Sequence, residues 1–207
     1  MFETLTGTLI TVVTRLLTGV QSRWVGCGPA GVQRIYIANH TSHMDFVLLW
    51  CALPKPLRKK TRPVAAKDYW GRGALRRYLI HRVFRGVLIE RGHVDRASNP
   101  LAPMLAALDG GESLILFPEG TRGTGGEVQP FKGGVFHLAE SRGAVELVPA
   151  WIDNSYRVMP KGSLFPVPLL CSVTFGKPVQ MEAGEHKQAF LARLRQSLMD
   201  LEGRDHA

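Results

Sequence analysis

Arg34-Ile35-Tyr36-Ile37-Ala38, then Asn39-His40-Thr41-Ser42-His43, then Met44 to Ala52 (MDFVLLWCA) is the stretch that decides the fold. Ile35 to Ala38 is a short apolar run without polar alternation, the pattern of a strand buried on both faces. Five polar residues follow, and the spacing then predicts a helix from about Met44 to Ala52. The same strand-then-helix unit recurs outward along the chain. Pro63-Val64-Ala65-Ala66 leads to a helix over Trp70 to Arg82, and Val87-Leu88-Ile89 to one over Leu101 to Leu108. Leu114 to Phe117 leads through a glycine-rich loop to a helix near Val135 to Glu140. Val145 to Ala150 and Ser172 to Phe175 read as further strands, and Phe190, Leu194, Leu198 and Leu201 stripe a closing helix. Such alternation predicts an α/β fold, a mainly parallel central sheet flanked by helices.

The 207 residues suit one domain with extensions. Apolar residues at 45% and charged ones at 21% exclude wholesale disorder. Twenty-six Lys and Arg against seventeen Asp and Glu give +9, which predicts an anionic partner without choosing its kind. Cys27, Cys51 and Cys171 are widely spaced and odd in number, so neither a disulfide framework nor a zinc site is expected; a reducing compartment fits. No apolar run reaches the ~20 residues of a membrane span, and the basic start of a secretory signal is lacking.

Residues 1–25 form a separate N-terminal piece, dominated by an amphipathic helix, before a main domain over 26–207. Phe2, Leu5, Leu9, Val12, Val13, Leu16 and Val20 recur at helical spacing, widened by Ile10 and Leu17. Glu3, Gly7 and several threonines occupy the other side. Three placements fit: packing on the protein's own core, lying in a membrane interface, or a short span disfavoured by Arg15 and the threonines.

Ligands of such folds sit beyond the carboxyl ends of the strands, which directs attention to Asn39–Asp45, Arg91 and Pro118–Gly126. A histidine at a strand end and an acid five residues on, in the first helical turn, can converge. The carboxylate then holds one ring nitrogen and makes the other the base. Ser42-x-x-Asp45 fits a helix capping box equally well. His43 sits two positions from Asp45, and the two diverge on a helix. In Phe117-Pro118-Glu119-Gly120-Thr121-Arg122-Gly123 the glycines permit a tight turn, and Arg122 can grip phosphate bidentately. A loop ion pair between Glu119 and Arg122 is the plainer alternative. No Gly-Lys-Ser/Thr phosphate loop and no Gly-x-Ser-x-Gly nucleophile elbow occurs.

Together these blocks resemble the glycerolipid acyltransferases, typified by the 1-acyl-glycerol-3-phosphate acyltransferases. NHTSHMD at 39–45, VLIERG at 87–92, FPEGTRG at 117–123 and VPA at 148–150 match four family motifs in order. Ala66-Lys67-Asp68 and Phe131-Lys132-Gly133-Gly134 match the spacers, and the likeness covers about residues 33–180. The resemblance makes 26–207 an acyltransferase domain. It implies that His40, oriented by Asp45, deprotonates a lysolipid hydroxyl, which attacks an acyl thioester with no acyl-enzyme. It further implies that Lys67, Arg91 and Arg122 bind the acceptor phosphate, while Asn39, Ser42, Glu119, Gly120 and Thr121 shape the site. No metal or cofactor is expected; acyl-CoA or acyl-carrier protein is the co-substrate. Glu90 stands where the second motif often carries Asp.

The expected acceptor is 1-acyl-glycerol 3-phosphate. The alternatives are another lysolipid such as a lyso-ornithine lipid, a transacylase, or an inactive lipid-binding relative. Lys55, Arg58, Lys59, Lys60 and Arg62, followed by Arg72, Arg76, Arg77, Arg82 and Arg85, interleave with Tyr69, Trp70, Tyr78 and Phe84. That composition suits an anionic bilayer surface, or a merely solvated basic face. No recognition motif accompanies it for nucleic acid. The expected location is the cytoplasmic side of the membrane, peripheral or monotopic.

Overall fold

The computed structural model describes residues 2–90, 99–123, 127–158 and 169–203. Helix α1 (Phe2–Thr18) leads into edge strand β1 (Gln21–Trp24), then β2 (Arg34–Ala38) and α2 (Asp45–Ala52). A short α3 (Lys55–Lys59) precedes β3 (Thr61–Ala66), α4 (Lys67–Trp70), α5 (Ala74–Tyr78), a π-helical turn (Leu79–Val83) and β4 (Val87–Ile89). Then come α6 (Ala102–Asp109), β5 (Ser113–Leu116), α7 (Gly134–Ser141), β6 (Glu146–Ile152), α8 (Ser155–Val158), β7 (Ser172–Phe175) and α9 (Lys187–Met199).

The seven strands lie in the order β1-β7-β6-β2-β5-β3-β4, every pair parallel except β6 with β7. β2 is central and fully buried, as its continuous apolar run requires. Side chains alternate between two cores. Ile35, Ile37, Leu114 and Leu116 face α6, α7 and α9; Tyr36, Ala38, Ile115 and Val148 face α2 and the π-helical turn. β3 changes partner along its length, pairing β5 through Thr61–Pro63 and β4 through Val64–Ala66.

The predicted alternation is present, with local differences. β1 was not expected: Gln-Ser-Arg-Trp carries no apolar run, and it exists because it pairs with β7 at the sheet edge. The single helix expected over Trp70 to Arg82 is three pieces, because Gly73 at φ +77° interrupts it and Leu79–Val83 widens to a π turn. Cys27, Cys51 and Cys171 are free thiols.

α1 sits in the reverse of the core-packing orientation. Gly7, Thr11, Thr14 and Thr18 are its buried residues, while Phe2 is 76%, Leu9 62% and Leu16 80% exposed. Gly7 faces Trp50 and Val83, where a Cβ would make ordinary contact at 3.5 Å. Thr11 and Thr18 can be buried because each donates its hydroxyl to the carbonyl four residues back, Gly7 and Thr14. Among the described residues no helix is long and apolar enough to cross a membrane.

Candidate active site

The site forms where β2, β5 and β3 release their chains at the same edge of the sheet. Asn39 leaves β2 and locks that edge: its amide donates to Ile152 O (3.0 Å) and accepts from Ile152 N–H (2.8 Å). The chain then turns through His40–Met44 into α2.

Asp45 is completely buried at the first turn of α2. Its Oδ2 accepts from His40 Nδ1 at 2.8 Å, Thr41 N–H at 2.7 Å and Ser42 N–H at 2.8 Å. Two backbone donors already converge on that oxygen, so the imidazole contact is a third donation from Nδ1–H, which leaves the Nε2 lone pair free to act as base. The ring is largely enclosed and stacks on Phe117, centroids 4.4 Å apart. The capping alternative is half realised. Asp45 reaches back to Ser42 N–H, but Met44 occupies the cap position with no side-chain cap. One carboxylate thus serves the turn and the imidazole together.

The loop after β5 grips the backbone of His40 from both sides. Glu119 Oε1 accepts from His40 N–H at 2.7 Å, and Gly123 N–H donates to His40 O at 2.8 Å. Glu119 Oε2 accepts from Gln129 N–H at 2.8 Å, so its carboxylate is spent on two backbone donors and not on Arg122. Burial raises the Glu119 pKa, opposed by those two N–H groups and by the charge of His40. Gly120 turns at φ +73°, and Lys132 lies across the space where a Cβ would stand.

Arg122 and Thr121 are exposed on this loop. Arg122 is near enough to influence His43, whose pKa is lowered first by burial, then by Arg122, His40 and Arg76. His43 stacks on Tyr69 at 5.0 Å and takes no part in the Asp45 cluster, as its spacing predicts. Lys67 leaves β3 at the same edge, but its Nζ is 2.7 Å from Glu90 Oε1, an exposed pair. Glu90 is held below its usual pKa by the hydrogen bond and charge of Lys67. Arg91 lies outside the described residues. The supports from Asn39 to Ile152, and from Thr41 Oγ1 to Ser155 Oγ at 2.8 Å, span more than a hundred positions and carry no local sequence signal. Among the described residues no cluster of His, Cys, Asp or Glu could hold a metal.

Two of the ordered blocks, NHTSHMD and FPEGTRG, thus meet at one imidazole, and a family model described as Acyltransferase matches residues 28–153. The chain belongs to the acyltransferase family. Among its relatives is the 1-acyl-sn-glycerol-3-phosphate acyltransferase of Cocos nucifera, 28% identical over 83% of this chain and 56% of that protein. The enzyme of the same name from Salmonella typhimurium is 31% identical over 58% of this chain and 47% of its own. The crystal structure of the 1-acyl-sn-glycerophosphate acyltransferase of Thermotoga maritima superposes with a TM-score of 0.66 at 25% identity, covering 88% of this chain and 73% of that one. The chain spans about half the length of the curated relatives it matches.

Proposed function

We propose that this acyltransferase moves a fatty acyl group from an acyl thioester to the free hydroxyl of a lysophospholipid, with 1-acyl-glycerol 3-phosphate as acceptor. The observation that carries this is the 2.8 Å contact between His40 Nδ1 and a buried Asp45, beside the exposed Arg122. His40 Nε2 takes the hydroxyl proton as the oxygen attacks the thioester carbonyl. The C–S bond then breaks, and Nε2 returns the proton to the departing thiolate. Asp45 stabilises the imidazolium formed in between. Arg122, joined by Lys67 and Arg91, holds the acceptor phosphate and so places the hydroxyl, which supplies the proximity contribution. Acyl-CoA and acyl-carrier protein both fit as donors. Acyl transfer by the purified chain, measured as thiol release with each donor against a panel of lysolipids, tests the assignment. Equal turnover with phosphate-free acceptors would overturn the choice of acceptor.

The reaction takes place at a membrane surface, on this proposal, with α1 lying in the interface. Support comes from the outward face of α1, where Phe2, Leu5, Leu9 and Leu16 are all more than half exposed. Replacing Leu5, Leu9 and Leu16 by serine should release the chain from phosphatidylcholine vesicles while leaving its melting temperature unchanged. Undiminished vesicle binding would refute the docking role.

A further inference from the structure

A second cationic cleft lies away from the dyad, between α1 and α3. Thr4, Gly7 and Thr8 of α1 form one wall, Lys55, Arg58 and Lys59 of α3 another, and Trp50 and Phe84 the floor. Its lining contains none of His40, Asp45, Glu119 and Arg122. Asp45 opens α2, whereas Trp50 lies more than a turn further on, and Phe84 packs edge-on against both Phe46 (5.0 Å) and Trp50 (5.1 Å). Thr61, also on its lining, begins β3, while Lys67 follows that strand's other end.

Arg58 marks the cleft as a binding site. Its guanidinium stacks over Trp50, 5.0 Å from the ring centroid, and its Nη1 is enclosed with no hydrogen-bond partner. A buried guanidinium nitrogen left unpaired is costly, and buried charges are normally paired. Burial depresses the Arg58 pKa, and the nearby charge of Arg15 adds to this, so positive charge accumulates here against the enclosure. Other cations on the lining are already engaged: Arg85 pairs with Glu112, and Arg82 lies 4.0 Å from Glu3, the acid of the cleft. Lys55 and Lys59 are exposed at its mouth.

The outer side of the α1 wall is the exposed apolar face of Phe2, Leu5 and Leu9. A phosphate seated on Arg58 would therefore stand at headgroup level, with its acyl chains beside that face. We propose that the cleft is a second, non-catalytic site for the phosphate of an anionic phospholipid headgroup, held by Arg58 with Lys55 and Lys59. This rests on α1 docking to a bilayer. It adds a selection among bilayers: the chain settles where anionic lipid can fill the cleft.

Vesicle sedimentation of the full chain tests it, with phosphatidylcholine alone and mixed with phosphatidylglycerol. Wild type should prefer the mixed vesicles. Arg58→Gln and Arg58→Lys should each lose about tenfold of that preference, the share of a charge-assisted pair. Binding to phosphatidylcholine alone, and turnover on detergent-dispersed acceptor, should stay at wild-type values. A wild-type preference in Arg58→Lys would reduce the effect to diffuse attraction and overturn the site. So would displacement by inorganic phosphate as complete as that by phosphatidylglycerol vesicles. If Arg58→Gln fails to fold, Lys55→Glu with Lys59→Glu, both at exposed positions, should abolish the preference; its retention would equally overturn the site. Failure of α1 docking is seen separately, as undiminished binding of the leucine-to-serine variant to phosphatidylcholine alone.

Discussion

Asp45→Asn isolates what the buried carboxylate contributes electrostatically. The carboxamide has the same shape, and its oxygen can accept from His40 Nδ1, Thr41 N–H and Ser42 N–H as Oδ2 does now. Its amino group would lie where Oδ1 is buried without a partner, so no existing bond is lost there, though a buried unpaired donor costs about 1–3 kcal/mol of stability. What disappears is the negative charge. With nitrogen and oxygen 2.8 Å apart, the imidazolium and carboxylate charge centres are separated by about 4 Å, an attraction of about 4 kcal/mol at an effective dielectric constant of 20. That attraction develops only as the proton reaches Nε2, so it acts on the transition state and is worth about a thousandfold in turnover. Steady-state thiol release from acyl-CoA, with saturating 1-acyl-glycerol 3-phosphate, gives kcat; thermal unfolding checks that the loop survives. A kcat within about tenfold of wild type, with the variant still folded at the assay temperature, would show that the carboxylate is a structural clamp only.

Four further expectations concern the surrounding shell. Glu119→Gln turns one of its two acceptor oxygens into a donor facing a backbone N–H, which should cost about 1–3 kcal/mol in urea unfolding; an unchanged free energy would contradict the grip on His40. Because burial raises the Glu119 pKa above 4.5, the native chain binds that proton more tightly than the unfolded one. Its stability relative to Glu119→Gln should therefore fall as pH rises from the unfolded value through the native one, and a widening gap would show the sign to be wrong. Gly120→Ala, at φ +73° and with Lys132 atoms 2.7 Å from the new Cβ, should lose about 1–2 kcal/mol of stability, most of it backbone strain. Glu90→Gln should free Lys67 and lower KM for the phosphorylated acceptor while leaving stability nearly unchanged, since the pair is exposed; a raised KM would mean that Glu90 itself helps to place the acceptor.

Much of the fold was legible because the signals are local. Ile35 to Ala38 reads as a strand buried on both faces, and Phe190, Leu194 and Leu198 as a helix stripe, both of which the structure contains. The His40–Asp45 contact was legible for the same reason: a five-residue separation at a strand-to-helix turn lets the two side chains converge. β1 escaped notice because its pairing with β7, and not its composition, makes it a strand.

The tertiary structure decided three things that no window of sequence contains. It set which side of α1 faces the protein: hydrophobic periodicity reports that a helix has two faces, but hydroxyls satisfied on their own backbone let the threonine side pack inward. It made Glu119 a backbone clamp on a residue 79 positions away, where spacing suggested an ion pair with Arg122. It stacked the Arg58 guanidinium over Trp50 and enclosed its Nη1. Each depends on the free energy of burying or pairing a polar group, which is determined by the elements that close around it. Residue order alone specifies the groups available, and packing specifies which of them lose water.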